Sequence, residues 1–401
     1  MSPLNPEILR WARETSGLSV EEAAKALAIT KPGRLEALEE GKEQPSRPLL
    51  LKMAKKYRRP LLTFYLAAPP KRGDRGQDFR TLPPDQSIED EAALDALIRD
   101  LKARQNLVRS IVQDDEEAEP LKFIGSRKLN DGVASVVQSI TKTLKVDIRE
   151  YRSRDSYQSA FAFLRERAEA SGIFVLLVGN LGSHHSAIPV ENFRGFAISD
   201  VYAPFVVIND QDAHPAWTFT LLHEIAHLWL GATGVSGAHA EKAIEQFCND
   251  VAGEFLLPTD ELRELKLTDQ TSREDAIGLI SEFARARKVS RSMVAYKLFR
   301  AKRIRWETWA TLDKEIRQIW ISEREKRKAQ QQKSESGPSY YVVRRHRVGK
   351  ALLDLVSRNM SAGALSPVKA AKVLGVKLRA VYPLLIDLPR NASRPGTGGS
   401  I

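Results

Sequence analysis

The sequence predicts an α+β fold that is mostly helical: a helix-turn-helix bundle at the N-terminus, a central domain with a small sheet, and a helical module at the C-terminus. Three observations carry this. Apolar residues recur at helical spacing through much of the 401 residues. Short apolar runs suited to buried strands occur near the middle, at 173–178, 193–200 and 204–208. Stretches rich in Pro and Gly at 67–90, and in Gln, Ser and Gly at 329–339, divide the chain.

The N-terminal elements follow in order. Ile8, Leu9, Trp11 and Ala12 mark one helix, ended near Gly17. Ser19 with Glu22 forms a capping box that opens a helix from Val20 to Leu27. A tight turn leads to a third helix over Arg34–Glu40, closed by Gly41, and Arg47–Tyr57 makes a fourth. Short helices around a tight turn within about 60 residues are helix-turn-helix architecture. Further helices are expected at 90–113, 128–144 and 156–171, the last leading into the strand 173–178. After the other two strands come helices near 215–230, 240–256, 273–288 and 290–302, and one beyond Arg305. The run YYVV at 340–343 reads as a strand, followed by three short helices, and the tail NASRPGTGGSI reads as disordered. The expected division is 1–68, a connector at 69–127, 128–320, and a basic module at 340–390.

Composition narrows the class. No run of about 18 apolar residues occurs, which argues against a membrane span, and the first residues lack the layout of a signal peptide. Cys248 is the only cysteine, so no internal disulfide forms; a reducing compartment, the cytoplasm, is expected. The net charge of +11 is uneven: residues 320–401 hold 16 Lys/Arg against 5 Asp/Glu, and residues 1–70 hold 12 against 8. Basic ends around a mildly acidic centre suggest contact with a polyanion such as DNA through the N-terminal and C-terminal modules.

The chemistry sits in TFTLLHEIAHLWLG at 218–231. His223 and His227 are four apart on a helix, so both imidazoles leave one face. Glu224 beside them can reach a metal-activated water as general base. Neutral imidazoles bind zinc and leave a position open for chemistry. The surrounding Leu221, Leu222, Ile225 and Ala226 are apolar, and a surface helix with an accidental pair of histidines would not bury its remaining faces this way. A third ligand is needed. Glu245 on the next helix is the choice, with Glu241, Glu254, Asp250 and His239 as alternatives. Asn249 shares a face with Glu245 at i and i+4, whereas Glu254 points to the opposite side. Cys248 reads as core. His185, Tyr202, His214 and His239 are able to stabilise an oxyanion, and His184 with His185 is a weak second metal candidate.

HEIAHLWLG with EQFCNDVAGEFLLP at 245–258 resembles the ImmA/IrrE family of metallopeptidases. The strand region FRGFAIS…APFVVIND and the N-terminal bundle resemble its long members, which join an XRE-type DNA-binding module to the peptidase. The resemblance implies a zincin-like minimal metalloprotease fold in the centre, with Zn2+ on His223, His227 and Glu245, Glu224 as general base, and Asn249 and Glu254 behind the ligands. It implies cleavage of a specific protein substrate, a transcriptional repressor, and a sheet edge at 204–208 along which a substrate strand lies. The alternative is a DNA-binding regulator whose zincin-like domain senses or binds a partner without proteolysis.

In the helix-turn-helix module, Lys31 and Arg34 are the expected DNA contacts, with Lys42 and Arg47 on the backbone. Pro32-Gly33 at the start of the third helix, and Glu36, Glu39 and Glu40 along it, argue against groove binding there.

Overall fold

The computed structural model describes residues 4–70, 88–115, 118–182, 186–231, 238–267, 271–332 and 339–386. The N-terminal bundle consists of α1 (Pro6–Glu14), α2 (Val20–Leu27), α3 (Arg34–Glu39) and α4 (Arg47–Lys56), followed by a 3-10 turn at Leu61–Tyr65. Its capping box is formed: Ser19 N donates to Glu22 and Glu22 N donates to Ser19 Oγ. The core of this bundle gathers Ile8, Leu9, Leu27, Leu35, Leu38, Leu50, Met53 and Phe64 around the α1–α4 contacts. Arg13 on α1 meets Glu39 on α3 through two bonds of 2.7 and 3.0 Å, both side chains nearly buried. One glutamate of the third helix thus ties the bundle together.

The long α5 (Ile88–Gln113) follows, then α6 (Val133–Leu144), α7 (Ile148–Arg152) and α8 (Tyr157–Ala170). Next come β1 (Phe174–Leu177), β2 (Gly195–Ile198) and β3 (Phe205–Ile208), and the helices α9 (His214–Leu230) and α10 (Ala238–Leu256). The chain continues through α11 (Arg273–Arg287), α12 (Arg291–Arg300) and α13 (Trp306–Gln332). It ends in α14 (Tyr340–Val348), α15 (Lys350–Ser361), α16 (Pro367–Leu374) and α17 (Val381–Ile386). Among the described residues no helix is long and apolar enough to cross a membrane.

The sheet has strand order β1-β3-β2, with β3 parallel to β1 and antiparallel to β2. Segment 204–208 was expected to be an edge, and it is the central strand. Its residues Phe205–Ile208 are all fully buried, and the edges on either side of it are β1 and β2. Alternation along the strands sends Val175, Leu177, Val206 and Ile208 into a core shared with α6 through α13. Phe174, Leu176, Phe196, Phe205 and Val207 go to the other face, into a core built from α5 and α14 to α17. Burial on both faces is why these runs read as unbroken apolar stretches.

One expectation about the C-terminal part changes. YYVV is the start of α14, not a strand: Ser339 caps it by accepting from Val342 N, and the basic run Arg344–Arg347 continues the helix. Among the described residues the helices at 340–386 share a core with the connector helix α5 and with the sheet. The Arg165–Glu169 pair on α8 fastens that join. Arg165 donates to His346 O at 2.5 Å and to Val175 O, and Glu169 accepts from the N–H groups of Lys350 and Ala351 at 3.1 and 3.2 Å. The tail 391–401 and most of the 67–90 and 329–339 stretches lie outside the described residues.

Candidate metal centre

The α9 sequence is apolar on nearly every side, and the helix is buried along its length between α8, α10 and the sheet. Its two polar side chains on one face therefore need a partner inside the fold. That partner is Glu245, from α10 packed alongside. Nε2 of His223 lies 3.3 Å from Glu245 Oε2, and Nε2 of His227 lies 3.2 Å from Oε1. The two Nε2 atoms are 3.1 Å apart. Burial tends to raise the Glu245 carboxyl, but hydrogen bonds and charge from both histidines outweigh it and bring it down to about 2.

These distances fit one shared ion. Ligand atoms about 2.0–2.1 Å from a tetrahedral centre stand about 3.3 Å from one another. Two imidazole nitrogens aimed at one point, with a carboxylate closing the third side, are a donor set for a divalent transition metal. The three residues form the metal-competent group of His, Cys, Asp or Glu found among the described residues. His227 is 2 % exposed in its side chain and Glu245 20 %, so the site is sunk into the domain yet open on the carboxylate side.

Glu224 is buried, 3 % exposed, and its carboxylate lies against the start of β2. A Cβ on Gly195 would stand 3.1 Å from Glu224 Oε1, 2.4 Å from Thr220 Cγ2 and 3.0 Å from Val207 O. Only the absent side chain at Gly195 lets the strand approach the helix so closely. Asn209, fully buried, holds this approach: its amide donates to Ile188 O and Phe193 O at 3.1 and 3.0 Å, and its N–H reaches Arg194 O. Sequence reasoning missed both residues, although Asn within the apolar run that ends VVIND was a visible signal.

The remaining candidates divide. Glu254 lies nine residues beyond Glu245, on the opposite side of α10. It bonds Thr259 and Lys297 Nζ, the latter at 2.8 Å, and so does not stand behind the ligands. Asp250 pairs with Gln246 and Arg300. Asn249 is half-buried one turn from Glu245, and no hydrogen bond holds its side chain among the described residues. Cys248 is fully buried in the core. His214 meets Gln158 and Trp217 at the far end of α9. Tyr202 lies in the turn beyond Ile198, at the other end of β2 from Gly195. His184, His185 and the side chains of His239 and Glu241 lie outside the described residues.

In the N-terminal module three of the four expected DNA contacts are met by a glutamate, and the exposed Arg47 has no ion pair among the described residues. Lys31 and Arg34 both approach Glu43, at 3.7 and 3.3 Å, and Lys42 pairs with Glu40 at 2.5 Å. The third helix has six residues and starts only after Gly33, whose φ is +71°.

A buried helix carrying two histidines, completed by a carboxylate from the next helix beside a small sheet, defines a metallopeptidase-type domain. Residues 180–299 match the family described as IrrE N-terminal-like domain, and residues 7–62 match a helix-turn-helix domain. Together they give the chain the layout of the long ImmA/IrrE form with its N-terminal helix-turn-helix. No curated protein and no solved structure matches the chain.

Proposed function

We propose that the chain is a regulatory zinc endopeptidase that cleaves a specific protein substrate, a transcriptional repressor. The carrying observation is the convergence of His223, His227 and Glu245 at 3.1–3.3 Å beside the buried carboxylate of Glu224. Zinc held there supplies Lewis acidity that acidifies a water and polarises a peptide carbonyl. Glu224 takes the proton from the attacking water and passes it to the amide nitrogen as the C–N bond breaks, giving a carboxylate and an amine. His223 and His227 bind the ion through Nε2 and Glu245 supplies the charge that balances it. An extended substrate segment aligns along β2, the edge strand whose first residue faces Glu224, through main-chain hydrogen bonds. A site this recessed and served by a single short edge favours one presented strand over general digestion.

The test compares wild type with Glu224→Gln after zinc loading. Each is incubated with a cell extract, and newly formed protein N-termini are read by mass spectrometry. A small set of new termini that appears with wild type and not with Glu224→Gln supports the reading. Identical termini with both proteins, at full zinc content, would instead leave a regulator that binds without cleaving.

A further inference from the structure

The C-terminal helices contain a second helix-turn-helix, outside the 7–62 match. α16 ends at Leu374, and Gly375 takes the left-handed conformation, φ +62°. Val376 and Lys377 complete a three-residue turn, after which a 3-10 turn at Leu378–Ala380 runs into α17. A three-residue turn that includes a glycine, between one helix and the next helical segment, is the connection this architecture uses. Ala370, Leu374, Val381 and Leu384 are buried between the two helices and α15. Arginines lock the geometry. Arg344 donates to Leu374 O and Gly375 O at 2.9 and 2.6 Å, and Arg345 to Leu384 O and Pro383 O at 2.9 and 2.8 Å.

The outward face of this unit is basic and uncompensated. Residues 355–386 contain five Lys/Arg and no Asp/Glu. Lys369, Lys372, Lys377 and Arg379 are all exposed, and none makes an ion pair among the described residues. In the N-terminal module, by contrast, Lys31, Arg34 and Lys42 are each paired with a glutamate. Leu378 and Tyr382 add exposed apolar surface to the second helical segment, at 50 % and 56 %. Cations with apolar side chains on one exposed helical surface suit phosphates and base edges together.

We infer that α16 and the segment 378–386 form a duplex-DNA-binding unit, with Arg379 and Tyr382 at the major groove and Lys369, Lys372 and Lys377 on phosphates. DNA is favoured over duplex RNA because the A-form major groove is too narrow to admit a helix. The site places the peptidase next to DNA, where DNA-bound proteins are at high local concentration.

The test is fluorescence anisotropy of the full chain on an end-labelled duplex of about 30 base pairs with a randomised core, at about 50–200 mM salt. Wild type binds with affinity that falls steeply with salt. Lys377→Ala/Arg379→Ala weakens binding at least about tenfold and lowers the salt slope by about two, at unchanged thermal midpoint. Arg379→Lys, which keeps the charge, retains the slope, and Lys31→Ala/Arg34→Ala leaves binding within about twofold of wild type. No wild-type binding at the lowest salt, loss through the N-terminal variant alone, or equal affinity for a duplex RNA of the same length would overturn the inference. Glu224→Gln binds the same duplex as wild type, so failure here and failure of the peptidase reading are separate results.

Discussion

Gly195 on β2 faces Glu224 on α9 with no room for a side chain between them: a Cβ on the glycine would stand 3.1 Å from the carboxylate oxygen Oε1. The same Cβ would overlap Thr220 Cγ2 at 2.4 Å, so alanine forces the strand and the helix apart. Gly195→Ala is expected to destabilise the domain by about 1–3 kcal/mol. It should also cut cleavage by more than tenfold while zinc content stays near wild type. Metal analysis alongside a cleavage assay checks this; full activity would show that the contact does not position Glu224.

Removing a ligand should act on the metal and not only on rate. His227→Ala and Glu245→Ala are expected to lose bound zinc in mass-spectrometric metal analysis, whereas Glu224→Gln keeps it. Zinc retained at full stoichiometry by Glu245→Ala would move the third ligand elsewhere.

Glu254 and Lys297 should matter for stability only. Lys297 Nζ binds Glu254 and the carbonyls of Gly253 and Leu257 at the end of α10. Lys297→Met leaves the two carbonyls and the half-buried carboxylate without their donor and should cost about 1–3 kcal/mol in denaturant unfolding. Zinc content should not change, and a drop in it would place this pair in the metal site after all.

Acid should loosen the packing of α7 against α11. Glu261 bridges Arg152 at 3.0 Å and Arg287 at 2.8 Å. Burial tends to raise its carboxyl, and the two guanidinium partners together hold it below the ordinary 4.5. A carboxyl lowered on folding adds stability that is present above its unfolded value and is lost as pH falls through the folded one. The thermal midpoint of wild type should therefore fall more steeply below about pH 4.5 than that of Glu261→Gln. Parallel curves for the two proteins would reject the linkage.

The C-terminal helices should detach when the α8 pair is halved. Arg165→Met leaves Glu169 buried without its cation and is expected to cost about 3–5 kcal/mol. Replacing both residues with apolar ones should recover much of that loss. Hydrogen exchange at α14 and α15 reports it, and unchanged protection there in Arg165→Met would show that the apolar core alone holds the join.

Much of this architecture was legible in the chain. The box Ser19–Glu22 set the start of α2, Gly231 the end of α9, and the four-residue spacing of His223 and His227 put both imidazoles on one face. Such features depend on neighbours within a turn or two, so local sequence carries them. YYVV misled because strand propensity over four residues is weaker than a serine cap followed by a packed helix.

By itself the sequence determined most of the helices, the three strands and the His-Glu-His segment, because periodicity and capping are short-range. Only the tertiary structure decided that Glu245 closes the cluster, since the arc of Glu245, Asp250 and Glu254 is resolved by how α10 packs on α9. It also decided that β3 lies inside the sheet with β2 at its edge, because strand order is fixed by contacts between distant residues. The union of α5, the sheet and α14–α17 in one core has the same origin: a strand buried on both faces shows that it is covered, and not by which segment.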